Sequence, residues 1–228
     1  MTQNNVSHIA RTGSPMAIRE IYKDTKGNRV PSVTTILSRF KESGGLLYWA
    51  NQQGLEGKTL DEARTPAATA GTMAHDLVEA HINGRPLPEI GDTDTAKRAK
   101  SAFDTYLKWA EMYKLTIRHT EVSLVSNAHG FGGRLDAIGV NGDELVLLDW
   151  KTSNAVYPDY LLQLAGYKLL WEETYPEHQL TGFHLCRFAK EEGDFSHHYF
   201  PKLDKEVETF LVMRSLYDLV KDVEKRVK

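Results

Sequence analysis

The chain has 228 residues, of which 41% are hydrophobic and 26% charged, and its formal net charge is −3. This slightly acidic charge excludes a protein that coats nucleic acid over its whole surface, and the single cysteine, Cys186, excludes an internal disulfide, a cysteine-ligated zinc site and a four-thiolate iron–sulfur cluster. No apolar run approaches the roughly 20 residues that span a bilayer and no signal-peptide pattern is present, so we expect a cytoplasmic protein of a bacterium or a phage-infected host cell, with no membrane partner.

The first half of the chain is predicted to be mostly helical. Residues 1–17 lack apolar periodicity and are expected to form a flexible N-terminal arm, followed by a single domain over residues 18–228. A short strand over 18–22 precedes a turn at Lys26-Gly27-Asn28, and a helix then begins after its expected N-cap, Ser32. Residues 54–65 are predicted as a loop or partly helical connection, and helices are predicted over 66–82 and 95–113.

The second half alternates between strands and helices. Strands are predicted over 115–126, 180–188 and 196–200, a β-hairpin over 132–151, and helices over 158–174 and 205–227. This order predicts a mixed α/β fold in which a central mixed β-sheet is flanked by helices.

The hairpin carries charged residues in otherwise apolar strands. Asn141-Gly142 favours a two-residue type I′ turn, which would place Asp136 opposite Leu147 and Gly133 opposite Trp150. Because side chains alternate along a strand, two faces are expected. One would carry Asp136, Leu147, Asp149 and Lys151, and the core face would carry Leu135, Ala137, Val146, Leu148 and Trp150.

Two acidic side chains that share a face repel each other. At about 5 Å and an effective dielectric constant near 20 the repulsion is roughly 3 kcal/mol. Lys151 would offset part of it, and a divalent cation such as Mg²⁺ or Mn²⁺, which prefers oxygen ligands, would offset the rest. The alternative is that Asp136, Asp149 and Lys151 are exposed charges whose ion pairs contribute less than about 1 kcal/mol.

Several segments resemble motifs of a known family. Asp136 followed by Asp149-Trp150-Lys151 resembles the second and third motifs of the PD-(D/E)XK nuclease superfamily, and the RecB/Cas4-like exonuclease branch is the most similar. The segment AGTMAHDLVEAH resembles a helical motif of that branch and places His75 at its metal-binding histidine. GGRLDAIG resembles the glycine-rich approach to the first aspartate, and QLAGY is similar to a Q-x-x-x-Y motif. VPSVTTIL is similar to a segment of the mitochondrial genome-maintenance exonuclease and its phage relatives.

The resemblance implies a restriction-endonuclease-like core and the hydrolysis of DNA phosphodiester bonds. The implied catalytic residues are Asp136, Asp149 and Lys151, with Lys151 orienting or deprotonating the attacking water. The implied ligands of Mg²⁺ or Mn²⁺ are His75, Asp136, Asp149 and the carbonyl of Trp150. Some members of the branch hold an iron–sulfur cluster with four cysteines, which this chain lacks.

Further residues have two interpretations each. Glu79 would orient His75 or be a solvated helix charge, and Glu121 would add a carboxylate to the site or be an exposed edge charge. Gln163 and Tyr167 share a helix face and would contact DNA, although Tyr167 is equally suited to core packing beside Leu164. Arg134 would bind a phosphate. His197-His198 is not expected to hold a metal, because adjacent strand residues point to opposite faces.

These features favour a metal-dependent DNA exonuclease that acts on single strands or ends in phage-type recombination, repair or replication. The alternatives are a catalytically idle nucleic-acid-binding module on the same fold and an endonuclease. Exonuclease action depends on an arch that closes over the site, and the expected candidates for it are residues 31–57 and the helix from Thr95.

Overall fold

A computed structural model describes residues 20–41, 44–153, 155–189 and 194–227. The predicted arm over 1–17, and residues 18 and 19 of the first predicted strand, lie outside these ranges. Among the described residues, no helix is both long and apolar enough to cross a membrane.

A five-stranded mixed sheet forms the centre of the molecule, as predicted. Its strands are β3 (Thr116–Ser126), β4 (Phe131–Asn141), β5 (Glu144–Lys151), β6 (Gly182–Phe188) and β7 (Phe195–Phe200), in that spatial order. Strands β5 and β6 are parallel and all other neighbours are antiparallel. A separate two-stranded ribbon consists of β1 (Tyr22–Lys23) and β2 (Arg29–Val30).

The part of the chain that the structure describes contains six helices. They are α1 (Val33–Phe40), α2 (Gly44–Leu55), α3 (Leu60–Ile82), α4 (Asp94–Tyr113), α5 (Pro158–Thr174) and α6 (Asp204–Lys225). Ser32 is the N-cap of α1, as predicted, and its hydroxyl accepts a hydrogen bond from the Thr35 N–H. Helix α5 begins and ends where the sequence predicts and connects the parallel pair β5 and β6.

The two faces of the sheet are covered by different helices, which gives two hydrophobic layers. Helices α1, α5 and α6 cover one face, where the layer contains Val33, Ile36, Leu147, Leu164, Phe183 and Phe210. Helices α3 and α4 cover the other, where the layer contains Ala74, Phe103, Trp109, Leu148, Trp150 and Phe188. Helices α1 and α4 pack on the sheet, whereas α2, which forms most of the rest of the 31–57 segment, packs against α3. The arch over the site therefore stays a prediction.

The hairpin register differs from the prediction by two residues. Asn141 pairs with Glu144 and Ala137 with Leu148, so the loop is Gly142-Asp143. Of these two loop residues only Gly142 has a positive φ, at 61°, which is the pattern of a type II′ turn rather than type I′. A shift of two residues keeps every β5 side chain on its predicted face, because the side-chain period is two.

Candidate active site

Strands β4 and β5 separate at Asp136. The last paired residues are Ala137 and Leu148, and beyond them the Asp136 Oδ2 accepts a hydrogen bond of 2.8 Å from the Trp150 backbone N–H. Leu135 therefore packs in the layer under α5, whereas Ala137 packs in the layer under α3 and α4. The expectation that Leu135 and Ala137 share one face is wrong for this reason, and the break leaves the Asp136 carboxylate at the open end of the sheet.

Asp149 and Lys151 form a buried ion pair on the α5 side of β5. Asp149 is fully buried, and its Oδ2 contacts the Lys151 ammonium. Neither Asp149 oxygen accepts a hydrogen bond of good geometry from the described residues. Burial raises the pKa of Asp149 to about 7, with the neighbouring Asp136 acting in the same direction and Lys151 against it. The Lys151 ammonium also lies 5.1 Å from the centre of the Tyr160 ring.

His75, Glu121 and Asp136 form a compact group of potential metal ligands. One ligand atom of each lies within 4.8 Å of the other two, and the His75 Nδ1 is 3.9 Å from the Asp136 Oδ2. His75 reaches this position because α3 passes close to the end of β5. A Cβ on Gly71 would lie 3.0 Å from the Thr152 Oγ1, so a glycine permits this approach.

Glu121 enters the site through an irregularity of β3. The pairing of β3 with β4 shifts between Ile117 and His119, and Glu121 itself has a φ of 52°, which is uncommon for a residue other than glycine. Burial, followed by repulsion from Asp136, raises the pKa of Glu121 to about 8. Its Oε2 is 2.7 Å from the Arg134 Nε. Of the two interpretations of Glu121, the structure favours the carboxylate at the site.

Gln163 and Tyr167 lie together on α5, as their spacing predicts. The Gln163 Nε2 donates a 2.7 Å hydrogen bond to the Tyr167 hydroxyl. The Tyr167 ring is buried in the layer under α5, so Tyr167 also packs in the core, which was the second interpretation of this residue. Burial, with Asp149 and Asp136 nearby, raises its pKa well above the usual value. A Cβ on Gly133 would lie 2.9 Å from the Tyr167 Cε1, so Gly133 makes space for Tyr167, whereas the sequence predicted it opposite Trp150.

The other predicted site residues do not belong to the group of potential metal ligands. The Glu79 Oε1 contacts Arg85 at 2.7 Å, which favours the solvated helix charge over a role in orienting His75. The Arg134 guanidinium is already paired with Glu121, although its side chain is 47% exposed. The Trp150 backbone lies at the site, while its indole packs against Trp109 in the layer under α4.

Two aromatic residues near the site were not predicted. Tyr160 lies under Lys151, and it is three residues before Gln163 on the same helix. The Tyr22 ring occupies the space that a Cβ on Gly132 would take. The i,i+3 spacing of Tyr160 and Gln163 was a usable signal, whereas the contact of Tyr22 depends on the tertiary fold.

Comparison with known families identifies the chain. A family model of the PD-(D/E)XK nuclease superfamily matches residues 34–212, most of the chain. The chain belongs to the PD-(D/E)XK nuclease superfamily. This assignment confirms the resemblance of Asp136 and Asp149-Trp150-Lys151 to the motifs of that superfamily. No curated protein matches the sequence closely enough to count as a relative.

Several solved structures are distantly similar to this superfamily member. A candidate exonuclease from Eubacterium rectale has a TM-score of 0.45 and 13% identity, and the match covers 64% of each chain, so this chain spans less than two thirds of that protein. A phage-related exonuclease from Haemophilus somnus has a TM-score of 0.40 and 11% identity, covering 85% of this chain and 96% of that one. An alkaline exonuclease from Laribacter hongkongensis has a TM-score of 0.34 and 14% identity, covering 69% and 86%. Likeness at this level carries no information on substrate.

Proposed function

We propose that this chain is a metal-dependent deoxyribonuclease that acts as an exonuclease on single strands or ends. The observation that carries the proposal is the convergence of His75, Glu121 and Asp136 beside the buried pair of Asp149 and Lys151. In a protein without a ligand at this place, burying several carboxylates so close together would only cost stability. Membership of a nuclease superfamily supports the same chemistry.

The residues present fit a hard divalent cation. The donor set is one imidazole and two carboxylates within 4.8 Å of one another, and Asp149 supplies a further buried carboxylate without hydrogen bonds from the described residues. We assign Mg²⁺ or Mn²⁺ to His75, Glu121 and Asp136, with Asp149 and the Trp150 carbonyl as further proposed ligands. When bound, such a cation supplies Lewis acidity toward a phosphoryl oxygen and lowers the pKa of a coordinated water.

The protein side chains supply charge and orientation. Burial lowers the pKa of Lys151, but Asp149 and Asp136 outweigh it and the net pKa is raised, so the side chain carries an ammonium at neutral pH. This ammonium would balance the negative charge that develops on the phosphate and orient the attacking water. The Tyr167 hydroxyl, held by Gln163, would contact the DNA backbone at the α5 side of the site.

The contact between Arg134 and Glu121 affects whether Arg134 can bind a DNA phosphate other than the scissile one. Because the Glu121 carboxyl occupies the Arg134 Nε, phosphate binding by Arg134 requires Glu121 to turn toward the cation. The exposed side chain of Arg134 has room for this exchange. We therefore place Arg134 at a phosphate next to the scissile one. The biological setting that we propose, recombination, repair or replication, rests on the resemblance to the exonuclease branch.

The decisive experiment compares linear and circular DNA. End-labelled single-stranded and double-stranded DNA and closed circles are incubated with the protein and Mg²⁺ or Mn²⁺. We expect degradation of linear DNA, no cleavage of circles, and at least about 100-fold slower degradation by Lys151→Ala. Lys168→Ala is a matched control, because Lys168 also pairs with a carboxylate, Glu172, but lies on α5 and not on β5.

Each of the other outcomes would indicate a different function for this chain. Cleavage of circles would establish the endonuclease. DNA binding without cleavage under every metal condition would establish the idle binding module. Equal degradation by wild type and Lys151→Ala would place the active site elsewhere and contradict the proposal.

A further inference from the structure

A half-open cavity of about 350 Å³ lies beside the carboxyl-terminal end of α5, and we call it the α5-end pocket. Its floor is apolar and comes from three adjacent strands, through Val122, Ile138 and Leu145. Its wall is aromatic and consists of Trp171 and Tyr175, whose ring centres are 4.5 Å apart. A cavity of this size suits one small ring system with a substituent and is near the lower limit of ligand pockets.

The rim of the α5-end pocket is basic. It is formed by Arg118, His119 and His178, and no aspartate or glutamate is among the lining residues in the part of the chain that the structure describes. Arg118 occupies the point where the register of β3 shifts, and such irregularities redirect side chains. In a chain with a net charge of −3, a rim of one arginine and two imidazole donors, without a carboxylate among its described lining residues, favours an anionic ligand.

The wall is held in place before any ligand binds. The Trp171 Nε1 donates a 2.8 Å hydrogen bond to the His178 carbonyl, and the Tyr175 N–H donates one of 2.8 Å to the Trp171 carbonyl. Pro176 follows directly and prevents the helix from continuing. Trp171 is nearly buried, whereas Tyr175 is 38% exposed, so the Tyr175 ring offers a free face at the opening.

The α5-end pocket adjoins the active site through three shared elements. His119 is two residues from Glu121 on β3, and Ile138 is two residues from Asp136 on β4. Two residues of a strand span about 6.6 Å. On α5, Trp171 lies one helical turn after Tyr167, a rise of about 6 Å. A strand of nucleic acid leaving the site along α5 would therefore reach this pocket within a few nucleotides.

We propose that the α5-end pocket binds one nucleotide of single-stranded DNA, with the base against Tyr175 and Trp171 and a phosphate at Arg118. The aromatic wall matches the face of a base, and a duplex, whose bases are already stacked, would not fit a cavity of this volume. The phosphate lies on the β3 side, away from the negative carboxyl-terminal end of the α5 dipole. This inference rests on the proposed function, since it assumes a DNA strand at the neighbouring site.

The test measures binding without catalysis. A fluorescein-labelled oligothymidylate of about 12 nucleotides and a matched abasic oligomer are titrated by anisotropy in the absence of divalent cations. We expect Tyr175→Leu to weaken oligothymidylate binding about tenfold and to leave abasic binding unchanged. Arg118→Gln is expected to weaken both and to reduce the salt slope by about one.

Two matched controls complete the test. Tyr113→Leu removes a tyrosine that is 40% exposed on α4, and Arg226→Gln removes an exposed arginine at the end of α6. Both are expected to bind like wild type, and all variants are checked by thermal melting. Binding by folded Tyr175→Leu and Arg118→Gln within about twofold of wild type, or equal losses in the controls, would overturn the proposal. Because no cleavage is needed, a failure of nuclease activity would count against the proposed function alone.

Discussion

Asp149 is a fully buried carboxylate that receives little stabilisation from the residues that the structure describes. It lies in the apolar interior with an ion pair to Lys151, yet its oxygens accept no hydrogen bond of good geometry from the described residues. A buried carboxylate in such surroundings costs free energy, which the fold recovers elsewhere. We expect such a cost for a carboxylate that is stabilised by a cation when the cation is bound.

The tight contact at Gly133 provides a prediction at the scale of one residue. A Cβ on Gly133 would lie 2.9 Å from Tyr167, 3.0 Å from Leu170 and 3.2 Å from Val33. We expect Gly133→Ala to lower the free energy of unfolding by about 1–3 kcal/mol, because buried side chains would have to move. Urea unfolding at neutral pH measures the change.

Gly54→Ala is the matched control for Gly133→Ala. Gly54 lies in α2 and has open space where a Cβ would be. Alanine there is expected to raise the free energy of unfolding, by up to about 1 kcal/mol, because alanine favours a helix. Similar destabilisation by both substitutions would mean that the packing of Gly133 against Tyr167 is not what limits its size.

The site could be predicted only in part. Some of its residues are placed by the regular period of a strand, and others by local irregularities of the backbone. Asp149 and Lys151 follow from the two-residue period of one strand, which survives the shift of the hairpin register. The central place of Glu121 depends on a register shift in β3 and a positive φ, and no sequence pattern indicates either. Leu135 was misplaced because the strand pairing breaks at Asp136, where a side chain replaces the backbone acceptor.

At the scale of elements, the helices were predicted well where a single strong signal marks each end. Pro158 and Pro176 bound α5, and both ends agree with the prediction. The start of α3 was predicted at Pro66, but the helix begins at Leu60, after a capping box between Thr59 and Glu62. Proline favours the first turn of a helix, so Pro66 indicated a false start. Helix α2 was not predicted, because its three glycines disfavour a helix.

The edge strand β7 is joined to β6 by a pair of histidines, which predicts a pH dependence. The His184 Nδ1 and the His197 Nε2 are 2.6 Å apart. Burial, together with His184 and His198, lowers the pKa of His197 to about 4. The unfolded chain, in which a histidine titrates near 6.5, binds more protons between these values. Stability from this group is therefore complete above about pH 6.5 and is lost as the pH falls toward 4.

We expect the free energy of unfolding to fall between pH 7 and pH 5, with His197 contributing about 1 kcal/mol after allowance for its partial exposure to solvent. Urea unfolding at the two pH values measures the difference. His197→Gln should show a smaller loss, and His129→Gln, which replaces an exposed histidine outside the pair, should keep the loss of the wild type. An identical loss in His197→Gln and wild type would contradict the assignment of this dependence to the pair.

At the scale of the whole molecule, the two hydrophobic layers hold the site from both sides. Helix α3 brings His75 from one face of the sheet, and α5 brings Tyr167 from the other, while β3 and β4 supply Glu121 and Asp136 at the opening between them. A cation at this place would connect elements from both layers. Its binding should therefore stabilise the entire fold and not one loop.

Metal binding should then raise the melting temperature of the whole chain. At a free Mn²⁺ concentration 100-fold above the dissociation constant, binding to the folded state contributes about 2.7 kcal/mol. For a domain of this size that corresponds to a rise of about 5–10 °C over the protein in chelator, measured by calorimetry. Glu121→Gln should lose most of this rise, because it removes one carboxylate from the group of His75, Glu121 and Asp136. Glu172→Gln, which removes an equally well buried and ion-paired carboxylate remote from that group, should keep it. A rise of the same size in both variants would mean that Mn²⁺ binds elsewhere.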